Sequence, residues 1–528
     1  MRALGHAALL LACGCAGLGV NKRSPANIAN GALTPTLPPA ANYGPDATKT
    51  CPTAGANGEV ASLLAEQSQG KTPPQQDGRL CEMAETLLSW DPAELPPDQV
   101  LSFLSFYFGL PQPARRIVIT SIESEDVRQL APPLADGVQS FAATAALPRY
   151  GLSTQRVKKG TTKVVLVMQE GTLELEPVPR KLAPGAQATL SGRVAGPLEN
   201  PKVTVSDVLG HFETPKAEGK SFKAELRCGD KRGKIVVEIH GEEQGSEVPA
   251  ANFPVHCGED PPTSVALAPQ QPEAPAAFEK KLLELINAER STAGLKPLEW
   301  DDAVAGVARE VSEARREAMK GGSSVPSDIV QRLKKVDVIS PLILQNSAQA
   351  RSAEDAATRF LMSPAHRAHY LSAEATHAGI GAAALTDAAG KPFAVVTELF
   401  VKELQPLDVA ELREKLYGAL ARRRSGARAP ALRKDAGLEE TGQKYATELA
   451  AARGELPKPR EKELTSPLYK QFLSVNVLGG AKNDPLEFAE EPGVLSTGKV
   501  MGVGVAQGTH PVLGKNTVFV VILIGTRR

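Results

Sequence analysis

Histidine is the side chain best suited to moving protons near neutral pH, and the chain has eight. One stands in a patterned context, Ser363-Pro364-Ala365-His366-Arg367. Ser as N-cap and Pro at the first helical position would open a helix there. That helix N-terminus would favour a neutral imidazole, able to serve as a base or as a hydrogen-bond partner. Nucleophilic catalysis would also need a hydroxyl or thiol beside it, and Ser323, Ser324 and Ser347 are the candidate nucleophiles. Neither a Gly-x-Ser-x-Gly elbow nor a His-Glu-x-x-His helix occurs. His369 and His377 are close in sequence but sit off the motif. A zinc site takes three or four imidazole, thiolate or carboxylate ligands; none is expected, nor is any cofactor. The simplest reading of His366 is a structural hydrogen-bonding residue.

The elements that must position this motif run from Phe278 to Val401. Phe278, Leu282, Leu285 and Ile286 fall on one face of an amphipathic helix, which Gly294 is placed to stop. Asp301 or Asp302 can cap a second helix with Val304, Val307, Ala308 and Val311 as its apolar stripe. Ser352-Ala353-Glu354-Asp355 reads as a capping box opening a third, and Ser363-Pro364 starts the fourth. Two β runs, Ala378 to Leu385 and Phe393 to Val401, close the unit around a turn at Asp387 to Gly390. Helices first and a hairpin last make an α+β unit.

Four pieces in this order resemble the CAP superfamily, the SCP or cysteine-rich secretory type, in its bacterial form. They are Leu283-Glu284-Leu285-Ile286-Asn287-Ala288-Glu289-Arg290, Gly294-Leu295-Lys296-Pro297-Leu298-Glu299-Trp300, Ser363-Pro364-Ala365-His366-Arg367 and Gly379-Ile380-Gly381. The resemblance implies an α-β-α sandwich with a cleft that in many members holds two His and acidic partners. Carried over residue by residue, it implies a cleft of Gln345, Asn346, Ser363, His366 and Arg367, with His366 the candidate catalytic residue. Gln345 stands where members usually have Glu, and no His occurs between Met319 and Asp328, where the second is expected. The cleft chemistry is thus only partly present.

Sixty basic residues balance sixty acidic ones, and no basic block exceeds Arg422-Arg423-Arg424. Nothing in this charge pattern attracts nucleic acid. Residues 1–12 read as a signal peptide, with Met1-Arg2 ahead of an apolar run too short to span a bilayer. That run ends in Leu10-Leu11-Ala12-Cys13, which resembles a bacterial lipobox and implies lipidation of Cys13, with Cys15 a weaker candidate. Acyl chains, at about 0.8 kcal/mol per buried methylene, would then be the membrane partner. Gly14 after the Cys favours the outer membrane. The other four Cys fit export as disulfides, Cys51 with Cys81 and Cys228 with Cys257, each worth roughly 3 kcal/mol in the loop-entropy account.

The expected fold class is multidomain α+β, with CAP-like α-β-α sandwich domains and a small antiparallel β-sandwich. After the signal peptide, residues 13–50 are expected to be the lipidated Cys and a disordered tether of about 30–35 Å. Residues 51–180 would form an α+β domain. Either it is a diverged copy of the central one, because Tyr150-Gly151-Leu152 echoes Ala378-Gly379-Ile380, or its packing is unrelated. Residues 181–257 alternate with period two and would form an Ig-like sandwich with both Cys inward. Residues 258–277 are a Pro/Ala linker. The CAP domain spans 278–404, and 405–528 reads as a degenerate second copy. In it Leu412, Leu416 and Leu420 repeat the first helix and Gly502-Val503-Gly504 the glycine pair, but no Ser-Pro-x-His-Arg appears. Packing residues kept without cleft residues point to a lipid-anchored envelope protein that binds a protein, lipid or glycan. A His-dependent, protease-like hydrolase is the alternative.

Overall fold

Three times along the chain, an aspartate follows a two-residue strand and caps a helix that lies hard against a glycine of the strand paired with that short one. The structure is a computed structural model, describing residues 26–528 except 30, 47, 52–53, 68–73, 92–94, 125, 127–128, 130–133, 135–136, 140, 142–144, 215–216, 268–273, 322–327 and 388–389. Cys13, Cys15 and the signal-peptide reading lie outside the described residues. The chain divides into two compact units, Met1–Thr172 with Pro262–Ala268, and Leu173–Pro261 with Pro269–Arg528.

The first unit begins with a hairpin, β1 (Ala26–Ala29) and β2 (Ala32–Pro35). Helix α1 (Ala54–Gln67), strand β3 (Gln75–Gln76), helices α2 (Gly78–Leu87) and α3 (Asp98–Tyr107), and strands β4 (Arg116–Ile122), β5 (Pro148–Lys158) and β6 (Thr161–Glu170) follow. The sheet runs β3-β5-β6-β4, with β3 parallel to β5 and the other pairs antiparallel. Period-two alternation in β6 splits its side chains: Val164 and Leu166 pack toward α1, Val165 and Val167 toward α2 and α3. Cys51 and Cys81 are bonded, with Cα atoms 5.4 Å apart.

Two expectations are corrected here. Residues 26–43 are not all tether, because Leu33 and Tyr43 are fully buried, Val265–Ala266 of the expected linker pairs with β2, and Arg79 donates to the Gly44 and Gly109 carbonyls at 2.6 and 3.2 Å. A few large apolar side chains with a core to enter are enough to order such a stretch. The boundary expected at 180 falls at Thr172/Leu173 instead.

The reason is β7 (Leu173–Leu175), which joins a sheet of the second unit. After it come β8 (Lys181–Leu182), β9 (Gln187–Val194), β10 (Glu199–Ser206), β11 (Phe212–Glu213), β12 (Ala217–Glu218), β13 (Ser221–Arg227), β14 (Gly233–Glu243) and β15 (Ser246–Cys257). They form two sheets, β8-β15-β14-β10-β11 and β12-β13-β9-β7. Phe222, Ala224 and Leu226 of β13 alternate inward. Cys228, just past β13, is bonded to Cys257 at the end of β15, so the disulfide ties one sheet to the other.

The central module follows: α4 (Pro275–Thr292), β16 (Glu299–Trp300), α5 (Asp302–Met319), α6 (Ile329–Lys335), β17 (Ile343–Ala350), α7 (Ala353–Leu361), α8 (Pro364–Tyr370), β18 (His377–Thr386) and β19 (Pro392–Val401). Its sheet runs β16-β18-β19-β17, the topology of the first unit. Phe278, Leu282 and Ile286 of α4 pack on one face and Val304, Val307, Ala308 and Val311 of α5 on the other. Each of the larger side chains stabilises by about 1.5–3 kcal/mol. Gly294, at φ +75°, lets the chain leave α4 through the left-handed region.

The last module repeats this order with α9 (Val409–Gly426), β20 (Arg433–Lys434), α10 (Ala436–Ala451), β21 (Phe472–Ala481), β22 (Val500–His510) and β23 (Gly514–Arg527), and its sheet runs β20-β22-β23-β21. A buried arginine ends the first helix of both modules. Arg290 donates to the carbonyls of Lys296, Tyr370, Ser372 and Ala375; Arg424 donates to those of Pro430, Val494 and Ser496.

The helix–strand contact leaves no room for a side chain. A Cβ on Gly151, Gly379 or Gly502 would come within 2.2 Å of the backbone N of Cys81, Ala305 or Glu439 respectively. Gly379→Ala must therefore push α5 off the sheet, and a loss of about 3 kcal/mol or more is expected. Chemical denaturation of the full chain, read against wild type, checks it.

Candidate functional site

The motif helix α8 starts as its sequence requires. Ser363 occupies the N-cap position in extended backbone, but its hydroxyl makes no capping bond. The last turn of α7 brings Phe360 under it, and the His366 ring meets Phe360 edge-on at 5.3 Å between centroids. Burial keeps His366 below the ordinary imidazole range, biasing it to the neutral form. Gln345 is half-buried on β17, with its amide 3.4 Å from the Ser347 hydroxyl.

Arg367 belongs elsewhere, a correction to its place in the cleft. It is 2% exposed and points out of the central module into the sandwich. There it donates to the carbonyls of Asp207 and Lys234, both at 2.7 Å, and of Val208 at 3.2 Å. Glu289 balances its charge at 3.5 Å. Asn252 of β15 adds a bond to the Met362 carbonyl at 2.6 Å. A long, rigid donor fork with several fixed acceptors is a docking device.

What gathers in the central module is a polar chain that sequence reasoning missed. His369 Nδ1 lies 2.7 Å from Asn346 Oδ1. Asn346 Nδ2 donates to Glu398 Oε2 at 3.0 Å and to the His366 carbonyl at 3.3 Å. The Tyr370 hydroxyl donates to Glu398 Oε1 at 2.7 Å. Asn346, Tyr370 and Glu398 are all fully buried. Burial pushes the Glu398 carboxyl up to about 8, against the pull of its two donors, and pushes the Tyr370 hydroxyl well up. His369 is held below its usual range by burial and then by the neighbouring His366. One signal was available: Glu398 is the only charged residue in the run Pro392–Val401, which forms an interior strand of the sheet.

Register identifies the matching positions in the other two modules. Counting from the glycine that touches the helix, Ile380, Glu398 and Asn346 line up across β18, β19 and β17. The same places hold Leu152, Leu166 and Val118 in the first unit, and Val503, Ile522 and Leu478 in the last module. The fold accepts aliphatic side chains where the central module has an amide and a carboxyl.

Among the described residues, the candidate nucleophile Ser347 is not brought into a catalytic group. Ser323 and Ser324 lie outside the described residues, and Ser347 pairs with Gln345. His377 sits between the Thr376 hydroxyl at 2.9 Å and two carboxylates, Glu403 at 3.2 Å and Glu299 at 3.6 Å. That hydroxyl, however, accepts from the Glu403 backbone N–H at 2.8 Å and stands 3.4 Å from the Val401 carbonyl. It is tied into the strand end. Among the described residues, no group of three or more His, Cys, Asp or Glu could hold a metal ion.

Two outcomes are expected. Between its ordinary 4.5 and about 8, folded Glu398 keeps a proton that the unfolded chain has released. Its contribution to stability is therefore full below about 4.5 and is lost as pH rises through about 8. His366 and His369, depressed on folding, act in the opposite sense, and their contribution is lost as pH falls below 6.5. Glu398→Gln should flatten the alkaline side, gaining on the order of a few kcal/mol over wild type at pH 9, as thermal unfolding across pH 5–9 would record. Arg367→Ala takes the guanidinium away from three carbonyls, of which that of Asp207 keeps the Gly210 N–H, at a cost of about 2–4 kcal/mol, visible in calorimetry as a sandwich transition that separates from the rest.

Residues 283–397 match the family model of CAP, the cysteine-rich secretory protein family. A curated relative, the uncharacterized protein YkwD of Bacillus subtilis (strain 168), is 29% identical over 113 residues, 21% of this chain and 44% of that protein. The chain thus spans less than half the length of the curated relative it matches. Among solved structures, an outer surface protein from Borrelia burgdorferi is 22% identical, covering 24% of this chain and 94% of its own at a TM-score of 0.21. An extracellular protein containing a SCP domain from Bacillus anthracis str. Ames is 18% identical, covering 41% of this chain and 78% of its own, also at 0.21. The family match supports a CAP domain at the centre of a longer multidomain α+β chain.

Proposed function

We propose that this is an exported, lipid-anchored protein of the bacterial envelope whose central CAP domain recognises a ligand and performs no hydrolysis. The observation that carries this is how the imidazoles are used. His366 packs on a phenyl ring and His369 bonds an amide, and among the described residues neither has a hydroxyl or thiol as hydrogen-bond partner. A hydrolase that uses His to activate a side-chain nucleophile needs that contact. The sandwich, read as Ig-like, and the flanking modules, read as diverged and degenerate CAP-like copies, act as scaffold around the recognition module. Their aliphatic residues at the matching positions support that role. The lipobox-like Leu10-Leu11-Ala12-Cys13 and the two disulfides support export and outer-membrane anchoring. Among the described residues no helix is long and apolar enough to cross a membrane. The ligand is an envelope protein, lipid or glycan.

Expressed in a bacterial host, the full chain should partition with membranes and Cys13→Ser should release it; unchanged partitioning contradicts the anchor. Captured on beads with envelope extract, the protein should retain one component that a His366→Ala/His369→Ala variant loses. Hydrolysis of peptide or ester substrates that disappears with His366→Ala would overturn the recognition reading.

A further inference from the structure

We propose that Asn346, Glu398 and Tyr370 are positioning residues, which hold the His369 imidazole in one tautomer with its proton on Nδ1, so that Nε2 offers a lone pair to a hydrogen-bond donor on the ligand. This rests on the recognition reading of the central module and names the ligand group it takes, a hydroxyl or an amide N–H.

The geometry fixes each step. Asn346 has two acceptors on one side, Glu398 Oε2 and the His366 carbonyl. That side is the NH2 group, because the His366 carbonyl can only accept. Oδ1 is then the atom 2.7 Å from His369 Nδ1, and an oxygen acceptor requires that Nδ1 carry the hydrogen. In a neutral ring the other nitrogen is left as an acceptor. Glu398, held by the Tyr370 hydroxyl at 2.7 Å, keeps Asn346 from flipping. The groups facing His369 are His366 on its own helix, the Gln345 carbonyl and Asn346 on β17, and Glu398 behind Asn346. Arg367, on the same helix, is spent on sandwich carbonyls.

The polar chain is not a requirement of the fold. Two other modules of the same topology place Val118 with Leu166, and Leu478 with Ile522, at the Asn346 and Glu398 positions. A fully buried carboxyl pushed up to about 8 weakens the module at neutral pH. Aliphatic replacement of Asn346 and Glu398 together with Tyr370→Phe removes that cost and leaves neither the carboxyl nor the buried phenol without a partner. A purely structural role for the pair is therefore the wrong way round energetically.

The test is long-range 1H–15N NMR of the full chain labelled with 15N-histidine, with His369 assigned by His369→Gln. Wild type should show the Nδ1–H neutral tautomer. Asn346→Leu/Tyr370→Phe/Glu398→Ile should unfold at the same temperature or higher, yet give a tautomer mixture whose titration midpoint, with an acceptor lost, has moved downward. Glu398→Gln, whose amide oxygen can still accept from Asn346, should preserve the wild-type pattern. An Nε2–H signal in wild type overturns the proposal whatever the variants do. So does an unchanged His369 pattern in the triple variant, or a triple variant that fails to fold. None of these readouts depends on a ligand, so a failed capture experiment would sink the recognition reading while leaving the tautomer result standing.

Discussion

The architecture depends on a contact with no clearance: the first turn of one helix against a strand glycine, met at Gly151, Gly379 and Gly502. Around it the same parts recur. Asp77, Asp301 and Asp435 each cap the helix through a side-chain oxygen, and each donates its backbone N–H to the neighbouring strand at 2.9–3.0 Å. Helix start, strand and glycine are thereby locked in one register. A strand slipped by one residue would present a Cβ to the helix backbone and reverse every side chain. Because the register is fixed three times over, positions in one module can be compared with those in another without appeal to sequence similarity.

That comparison is what gives the central module its character. All three sheets bury the middle residue of the same strand, and two of them use Leu166 and Ile522 there. Glu398 in the third is an expensive choice for a core. Tyr370 and Asn346 reduce its cost by satisfying both oxygens, but a hydrocarbon would be better still. A recurring architecture with one costly local exception is how a site announces itself when no ligand is bound. The exception also lies under the two imidazoles of α8, the part of the chain that its motif singles out.

Much of this is legible in the sequence, and the limits follow from range. The helix stripe Phe278-Leu282-Ile286, the caps at Asp301 and Ser352, and the closing hairpin are set by neighbours a few residues away, and the structure has them. Both disulfides span only about thirty residues, and the in-phase placement of Cys228 and Cys257 marks an inward pair. The cleft is the wrong place for Arg367 because its acceptors lie some 130–160 residues upstream in another module. Leu33 and Val265 read as tether and linker because each has a strand partner over two hundred residues distant. His369 carries no signal of its own: its partner, Asn346, is made informative only by Glu398, and nothing in the spacing of those three residues joins them.

Arg367 has an implication for how such a chain is inherited. A helix that carries the central motif also supplies the plug for the neighbouring sandwich, with Gly210 packed against Leu371 beside it. Recombination that moved the central module alone into another gene would strand a buried guanidinium and take its donor from three carbonyls at once. The sandwich and the central module should therefore travel through evolution as a single cassette, shuffled together or not at all.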